Sequence, residues 1–129
     1  MGAAWTRAEL QKVGGAEELE LTPRISDGGL GRPVIIWVVP SGKDLYVRSW
    51  RGSAGEWYRH VLQSGEARIS AGGVERDVRA VRPAEEVNDD VDAAYRSKYG
   101  GDDYVDSMVR PEARATTLKL VLASAKRDE

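Results

Sequence analysis

Six short segments between residues 18 and 123 are apolar at every second position or throughout, and glycine or proline closes most of them. A twofold period places successive side chains on opposite faces of an extended chain, so this pattern calls for short strands rather than helices. The segments are 18–25, 34–39, 45–50, 67–71, 74–81 and 116–123. Several connections are too short for the crossover a parallel pair needs, which directs them into antiparallel pairing. Gly72-Gly73 and the Pro40-Ser41-Gly42-Lys43-Asp44 segment read as hairpin turns. Pro23 within the first segment predicts an edge or a bulge. The run 34–39 is apolar on both faces and reads as a central strand. Six short strands in an open sheet would expose unpaired edges, so the expected fold is mainly β, a closed or half-closed antiparallel barrel with room for one small ligand at its mouth.

Helical signals punctuate the strands. Thr6 and Glu9 form a capping box with Trp5 and Leu10 as its staple, opening a helix that stops at Gly14-Gly15. Residues 56–63 carry Trp57, Val61 and Leu62 on one expected face. Beyond Pro83 the helical period places Val87, Val91, Ala94, Tyr95 and Lys98 together, and Gly100-Gly101 ends the helix. A brief helix over 104–109 precedes Pro111, and residues 27–33 read as a turn. The 129 residues suit one domain spanning 1–129, with a frayed tail at 124–129.

Composition removes several functions. The chain has no cysteine, hence no disulfide, thiolate ligand or cysteine nucleophile, which fits a cytoplasmic setting. The N-terminal residues lack the basic and apolar regions of a signal peptide, and no apolar run approaches bilayer length, so neither secretion nor membrane insertion is expected. A formal charge of −2 argues against general nucleic-acid binding. One histidine, His60, rules out most metal centres. The acidic clusters Glu85-Glu86, Asp89-Asp90 with Asp92, and Asp102-Asp103 read as helix N-terminal charge, and no metal site is expected. There is no phosphate-binding Walker loop, and glycines 28, 29 and 31 do not form a dinucleotide fingerprint.

The segment Arg48-Ser49-Trp50-Arg51-Gly52 combines two guanidinium forks, a hydroxyl and a glycine, the groups that grip an anion; an ordinary strand end with two solvated arginines has the same spelling. Trp57 reads as core and Tyr58 as the ligand contact or proton donor. His60 is the side chain that titrates nearest neutrality, a candidate general acid or base against the commoner solvated histidine. Tyr95, Lys98 and Tyr99 share a helix face, either packing over the barrel with Lys98 snorkelling or lining a pocket. Arg24, Arg32 and Arg114 read as salt-bridging residues at strand ends.

On Gly31-Arg32-Pro33, on segments 45–52, 56–59 and 94–100, and on Ala115-Thr116-Thr117-Leu118, the chain resembles the bacterial DUF2255 family over nearly its whole length. More distantly, residues 31–82 are similar to the deazaflavin-dependent nitroreductases, whose split barrel is shared with pyridoxamine-phosphate oxidases and flavin reductases. This resemblance implies a six-stranded antiparallel split barrel of the flavin-binding type. It also implies an oxidoreductase that acts on a small organic substrate through flavin mononucleotide (FMN) or a deazaflavin (F420). Ser49 and Gly52 match the family's strand-end serine and glycine, and Trp57-Tyr58 its Trp-Tyr pair. His60 replaces the usual asparagine, and a longer basic segment is reduced to Gly31-Arg32-Pro33. Arg48, Ser49, Arg51, Gly52 and Lys98 would then hold the cofactor's phosphate or ring oxygens, with Trp37, Trp50 and Tyr58 flanking the ring. Tyr58 and His60 are the catalytic candidates, and a homodimer is implied. A cofactor-free barrel that binds a small molecule, or acts as an isomerase or cyclase through Tyr58, Tyr95, Lys98 and Tyr99, is the alternative; a partner-binding domain is a third. The most useful single observation is whether an open pocket lies between loop 48–52 and helical residues 95–99.

Overall fold

A computed structural model describes residues 5–25 and 29–123. The frayed tail expected at 124–129, the first residues and part of the 27–33 turn lie outside the described residues. Seven strands follow one another as β1 (Leu19–Pro23), β2 (Val34–Ile36), β3 (Val39–Ser41), β4 (Asp44–Val47), β5 (Glu66–Ala71), β6 (Val74–Val81) and β7 (Leu118–Leu122). The helices are α1 (Arg7–Gly14), α2 (Glu56–Ser64), α3 (Val87–Tyr99), α4 (Val105–Met108) and α5 (Pro111–Arg114), with a 3₁₀ turn at Gly52–Ala54.

The strands form one sheet in the order β2-β1-β5-β6-β7-β4-β3, antiparallel at every pair. Its curvature follows from chain connectivity. β2 and β3 are the two edges, yet only Trp37 and Val38 join them. Three Cα–Cα steps reach about 11 Å at most, whereas the edges of a flat seven-stranded sheet stand about 29 Å apart. The sheet must therefore curl until its edges nearly meet, as a split barrel requires.

The expected count of six strands is corrected to seven by the same segment. Residues 34–39 are not one central strand but two edge strands with a crossing between them. The run is apolar throughout because it is used on several sides. Val34 and Ile36 pack on the barrel interior, Trp37 and Val39 pack on a second core beneath α3, and Ile35 faces outward at 54% exposure. Pro23 lies beyond the last β1–β2 pair, Leu21 with Val34, where the ladder asks nothing of its missing N–H.

Local chemistry places the remaining elements. Thr6 and Glu9 cap α1 reciprocally, and Glu9 also pairs with Arg76 of β6. At the β5–β6 hairpin Gly72 and Gly73 have φ of 58° and 85°, a pair of left-handed residues that only glycine adopts without strain. The interior core holds the inward residues of the strands, among them Leu19, Leu21, Leu45, Val47, Ile69, Val78, Leu118, Leu120 and Leu122. Trp5 closes one side of it and donates its indole N–H to Leu120 O at 2.8 Å. Outside the barrel, α3 covers β3 and β4 through Val91, Tyr95 and Tyr99 against Val39 and Tyr46.

Candidate functional site

Strand β4 divides its side chains between two environments. Leu45 and Val47 enter the barrel interior, while Tyr46 and Arg48 turn toward α3. Arg48 is 1% exposed, and protein groups occupy all five of its N–H donors. Nε donates to Thr117 Oγ1 at 2.8 Å. Nη1 donates to Asp92 Oδ1 at 2.5 Å and to Met108 O at 2.8 Å, and Nη2 to the carbonyl and side-chain oxygens of Asn88, both at 3.2 Å. Asp92 Oδ2 in turn pairs with Arg114 at 3.0 Å. Arg48 therefore ties β4, α3, α4 and the start of β7 together, and no donor is left for a ligand.

Past Arg48 the chain rises to the rim. Ser49 donates its backbone N–H to Thr116 Oγ1 at 2.9 Å, and no group among the described residues hydrogen-bonds to its own hydroxyl. After the turn at Gly52–Ala54, Gly55 caps α2 with no side-chain cap at that helix's N-terminus. A Cβ on Gly55 would stand 2.4 Å from Ser49 Oγ, so a side chain there would turn the hydroxyl aside.

These groups open onto a groove of about 510 Å³, floored by Val34, Ile35 and Ile36 of β2 and walled by Ser49, Trp50, Arg51, Gly55, Trp57 and His60, with Arg32 at its mouth. No carboxylate among the described residues pairs with Arg32 or Arg51, and the Arg51 guanidinium sits 5.8 Å above the Trp50 ring. His60 Nε2 lies 3.8 Å from Glu56 across one helical turn. Ile35, Ile36, Trp50 and Trp57 are shared with a second compartment of about 300 Å³, completed by Trp37, Tyr104, Ser107 and Met108 over the buried Arg48.

The structure brings five of the sequence candidates to this groove: Ser49, Trp50, Arg51, His60 and Trp37. Four others require correction. Arg48 lines the second compartment but is saturated by the protein. Gly52 has φ 65° and packs on Glu112, away from the groove lining. Tyr58, expected at the ligand, is buried in the barrel core and accepts a hydrogen bond from Arg82 at 3.0 Å; Trp57 packs half-buried against the core, as expected, and also lines the groove. Lys98 donates to Val38 O at 2.6 Å, and burial lowers its amine to about 8. Tyr99 stacks on Trp37 at 4.0 Å and reaches Glu17 O at 2.7 Å, with burial pushing its phenol up to about 12; burial likewise raises the Tyr95 phenol.

None of Tyr95, Lys98 or Tyr99 lines the groove, so the pocket opens between loop 49–51, β2 and α2 rather than against α3. Arg24 and Arg114 pair with carboxylates as expected, whereas Arg32 stands at the groove. Gly55 is the glycine that sequence reasoning missed. Its position directly before the acidic first residue of a helix is the signal that could have found it.

Residues 9–120 match the profile of a family described as "Uncharacterized protein conserved in bacteria (DUF2255)". The chain belongs to the DUF2255 family. No curated protein matches this DUF2255 chain. Among solved structures it is similar to an F420 reductase, with TM-score 0.57 and 14% identity over 92% of this chain and 94% of that one. It is also similar to a putative pyridoxamine 5′-phosphate oxidase from Listeria innocua (TM-score 0.54, 12% identity, 85% of each chain). A third match is an FAD-binding protein from Mesorhizobium loti, with TM-score 0.56 and 15% identity over 96% of this chain and 94% of that one. At these identities the likeness establishes the fold of the DUF2255 chain alone, a curled antiparallel sheet. No helix among its described residues is long and apolar enough to cross a membrane.

Proposed function

We propose that this protein binds a flavin-type cofactor, FMN or the deazaflavin F420, in the groove beside β2 and acts as an oxidoreductase on a small organic substrate. One observation carries the reading: Ser49, whose hydroxyl has no hydrogen-bond partner among the described residues, faces a helix N-terminus without a side-chain cap across a glycine, with Arg51 and Arg32, unpaired among the described residues, on the same groove. That donor set fits a phosphate, since helix N–H groups and guanidinium forks both favour an anion. The groove volume suits a cofactor-sized ligand, and Trp50 and Trp57 offer aromatic faces to a planar ring along the apolar edge of β2.

When bound, a flavin supplies hydride or electron transfer; the chain's own task is to hold and orient it. Ser49, Arg51, Arg32 and the α2 N-terminus would anchor the anionic end. His60, on the groove wall and half-exposed, is the side chain placed to carry a proton at the groove's edge. Tyr58 lies in the barrel core, outside that role.

A homodimer belongs to the same reading. β2 is an edge strand, and Ile35, Trp50 and Tyr104 expose large apolar surfaces around the groove, a rim that a second copy would cover. The cofactor-free alternative built on Tyr58, Tyr95, Lys98 and Tyr99 loses its pocket, because those side chains are buried or bonded to backbone. The test is direct. The purified protein is titrated with FMN and with F420, following the cofactor's visible absorbance; binding of either at micromolar concentration supports the proposal, and binding of neither removes it.

A further inference from the structure

The helix face that carries Tyr95, Lys98 and Tyr99 lines neither compartment, yet two of its residues act on a groove wall from behind. That wall is Trp37, which lines the inner compartment of about 300 Å³. Trp37 belongs to the two-residue crossing Trp37-Val38, outside both neighbouring ladders: the β1–β2 pairing ends at Ile36 and the β3–β4 pairing begins at Val39. Ladder pairing therefore does not fix the crossing. The last turn of α3 supplies what the ladders do not. Lys98 Nζ donates to Val38 O at 2.6 Å. The Tyr99 hydroxyl donates to Glu17 O at 2.7 Å, with Val38 O as a longer second acceptor at 3.3 Å. Val38 is fully buried, so its carbonyl needs such a donor, and an ammonium makes the bond a strong one. The Tyr99 ring lies parallel to Trp37, with centroids 4.0 Å apart and 4° between planes, and the Lys98 ammonium stands 5.1 Å over that same tyrosine ring. Consecutive residues of one helix thus hold both the backbone and the ring of the crossing.

We infer that Lys98 and Tyr99 are positioning residues: Lys98 acts through the Val38 carbonyl and Tyr99 through the indole face, and together they set Trp37 as a fixed wall of the inner compartment. Plain packing of α3 on the barrel does not account for them. Val91 and Tyr95 already meet Val39 and Tyr46 there, and that contact asks for neither the bond to Val38 nor the stack. A wall fixed before binding leaves less to be ordered when a flat ligand rests against it. That this ligand is a cofactor or substrate ring rests on the proposed function; the positioning of Trp37 does not.

The test follows the Trp37 indole N–H signal in the whole ¹⁵N-labelled protein without ligand. Stacking on Tyr99 displaces that signal through the ring current, so movement of the indole off the ring reads as a shift. Lys98→Met keeps both rings and removes the bond to Val38. It is expected to shift and broaden the Trp37 signal while Trp5, bonded to Leu120 O, stays in place. Lys98→Arg supplies a donor again and is expected to return the signal toward its wild-type position. Tyr99→Phe keeps the stack but removes both hydroxyl contacts; a shift of Trp37 is expected there too, which keeps the inference testable if Lys98→Met folds poorly. A Trp37 signal unmoved in both Lys98→Met and Tyr99→Phe overturns the inference. So does a movement of Trp5 as large as that of Trp37, or a Lys98→Arg variant indistinguishable from Lys98→Met. Failure of FMN to bind sinks only the cofactor reading, since these signals are read on the free protein.

Discussion

Arg48 and Asp92 meet at 2.5 Å where the arginine side chain is fully buried and the aspartate nearly so, and this pair joins the strand that leads to the groove to the helix behind it. The two residues are not equivalent. Asp92 has a second cation in Arg114, at 3.0 Å, while Asp92 is the one carboxylate paired with Arg48 among the described residues. Asp92→Ala therefore strands a buried positive charge and is expected to cost about 3–5 kcal/mol in urea unfolding. Arg48→Met, which keeps the apolar volume and leaves Asp92 paired, is expected to cost less. The reverse order would show that Arg48 is not held mainly by Asp92.

The rim residues should behave oppositely. Arg51 is exposed and makes no ion pair among the described residues, so Arg51→Ala is expected to leave the unfolding midpoint within about 0.5 kcal/mol of wild type. Cofactor affinity should fall by about 1.5–3 kcal/mol, the value of a hydrogen bond to a charged group, or roughly ten- to a hundred-fold. Gly55→Ala should also weaken binding, because its methyl would collide with Ser49 Oγ. Flavin titrations on the folded variants check both.

Alkaline pH should move stability in two directions. Burial lowers Lys98 to about 8, so between pH 8 and its ordinary value near 10.5 the unfolded chain binds a proton that the folded chain does not. Stability then rises with pH across that window. Burial raises Tyr99 to about 12, so above pH 10 the unfolded chain sheds a proton the folded chain keeps, and stability falls. Chemical denaturation from pH 7 to 11 should show a maximum near pH 10. In Lys98→Met the rising limb should disappear and the falling one remain.

The hairpin glycines give a stability contrast. Gly42 and Gly72 both have positive φ, 63° and 58°, but a Cβ on Gly42 meets nothing within 4 Å, while one on Gly72 would lie 2.2 Å from Lys12 O of α1. Gly42→Ala is expected to cost about 1–2 kcal/mol of left-handed strain, and Gly72→Ala clearly more because backbone must also move. Equal midpoint shifts in thermal unfolding would contradict the close packing of α1 on that turn.

Local signals made most elements legible in the sequence. Twofold alternation located β1, β4, β5, β6 and β7, the Thr6–Glu9 box located α1, and Gly72-Gly73 located its hairpin. The crossing at Trp37-Val38 was hidden because an apolar run spells a central strand and a split pair of edge strands alike. The burial of Tyr58 beside the core-packed Trp57 was hidden for a related cause: a short helix reveals an apolar stripe but not which margin meets the barrel. Arg48 was misread because its partner sits 44 residues away on α3. Its trace was present nonetheless. Asn88, Asp92, Tyr95 and Tyr99 form one buried stripe on that helix, and a carboxylate in such a stripe requires a cation.

The groove beside β2 as the seat of a flavin-type cofactor is tested most directly by the indole N–H signals of the four tryptophans in a ¹⁵N-labelled sample titrated with FMN. Trp50 and Trp57 line the outer compartment, whereas Trp5 donates its indole N–H to Leu120 O inside the core. Trp50 and Trp57 should shift progressively and saturate with the cofactor while Trp5 stays in place. Four unmoved signals at saturating FMN, or a shift of Trp5 without Trp50 and Trp57, would contradict the assignment.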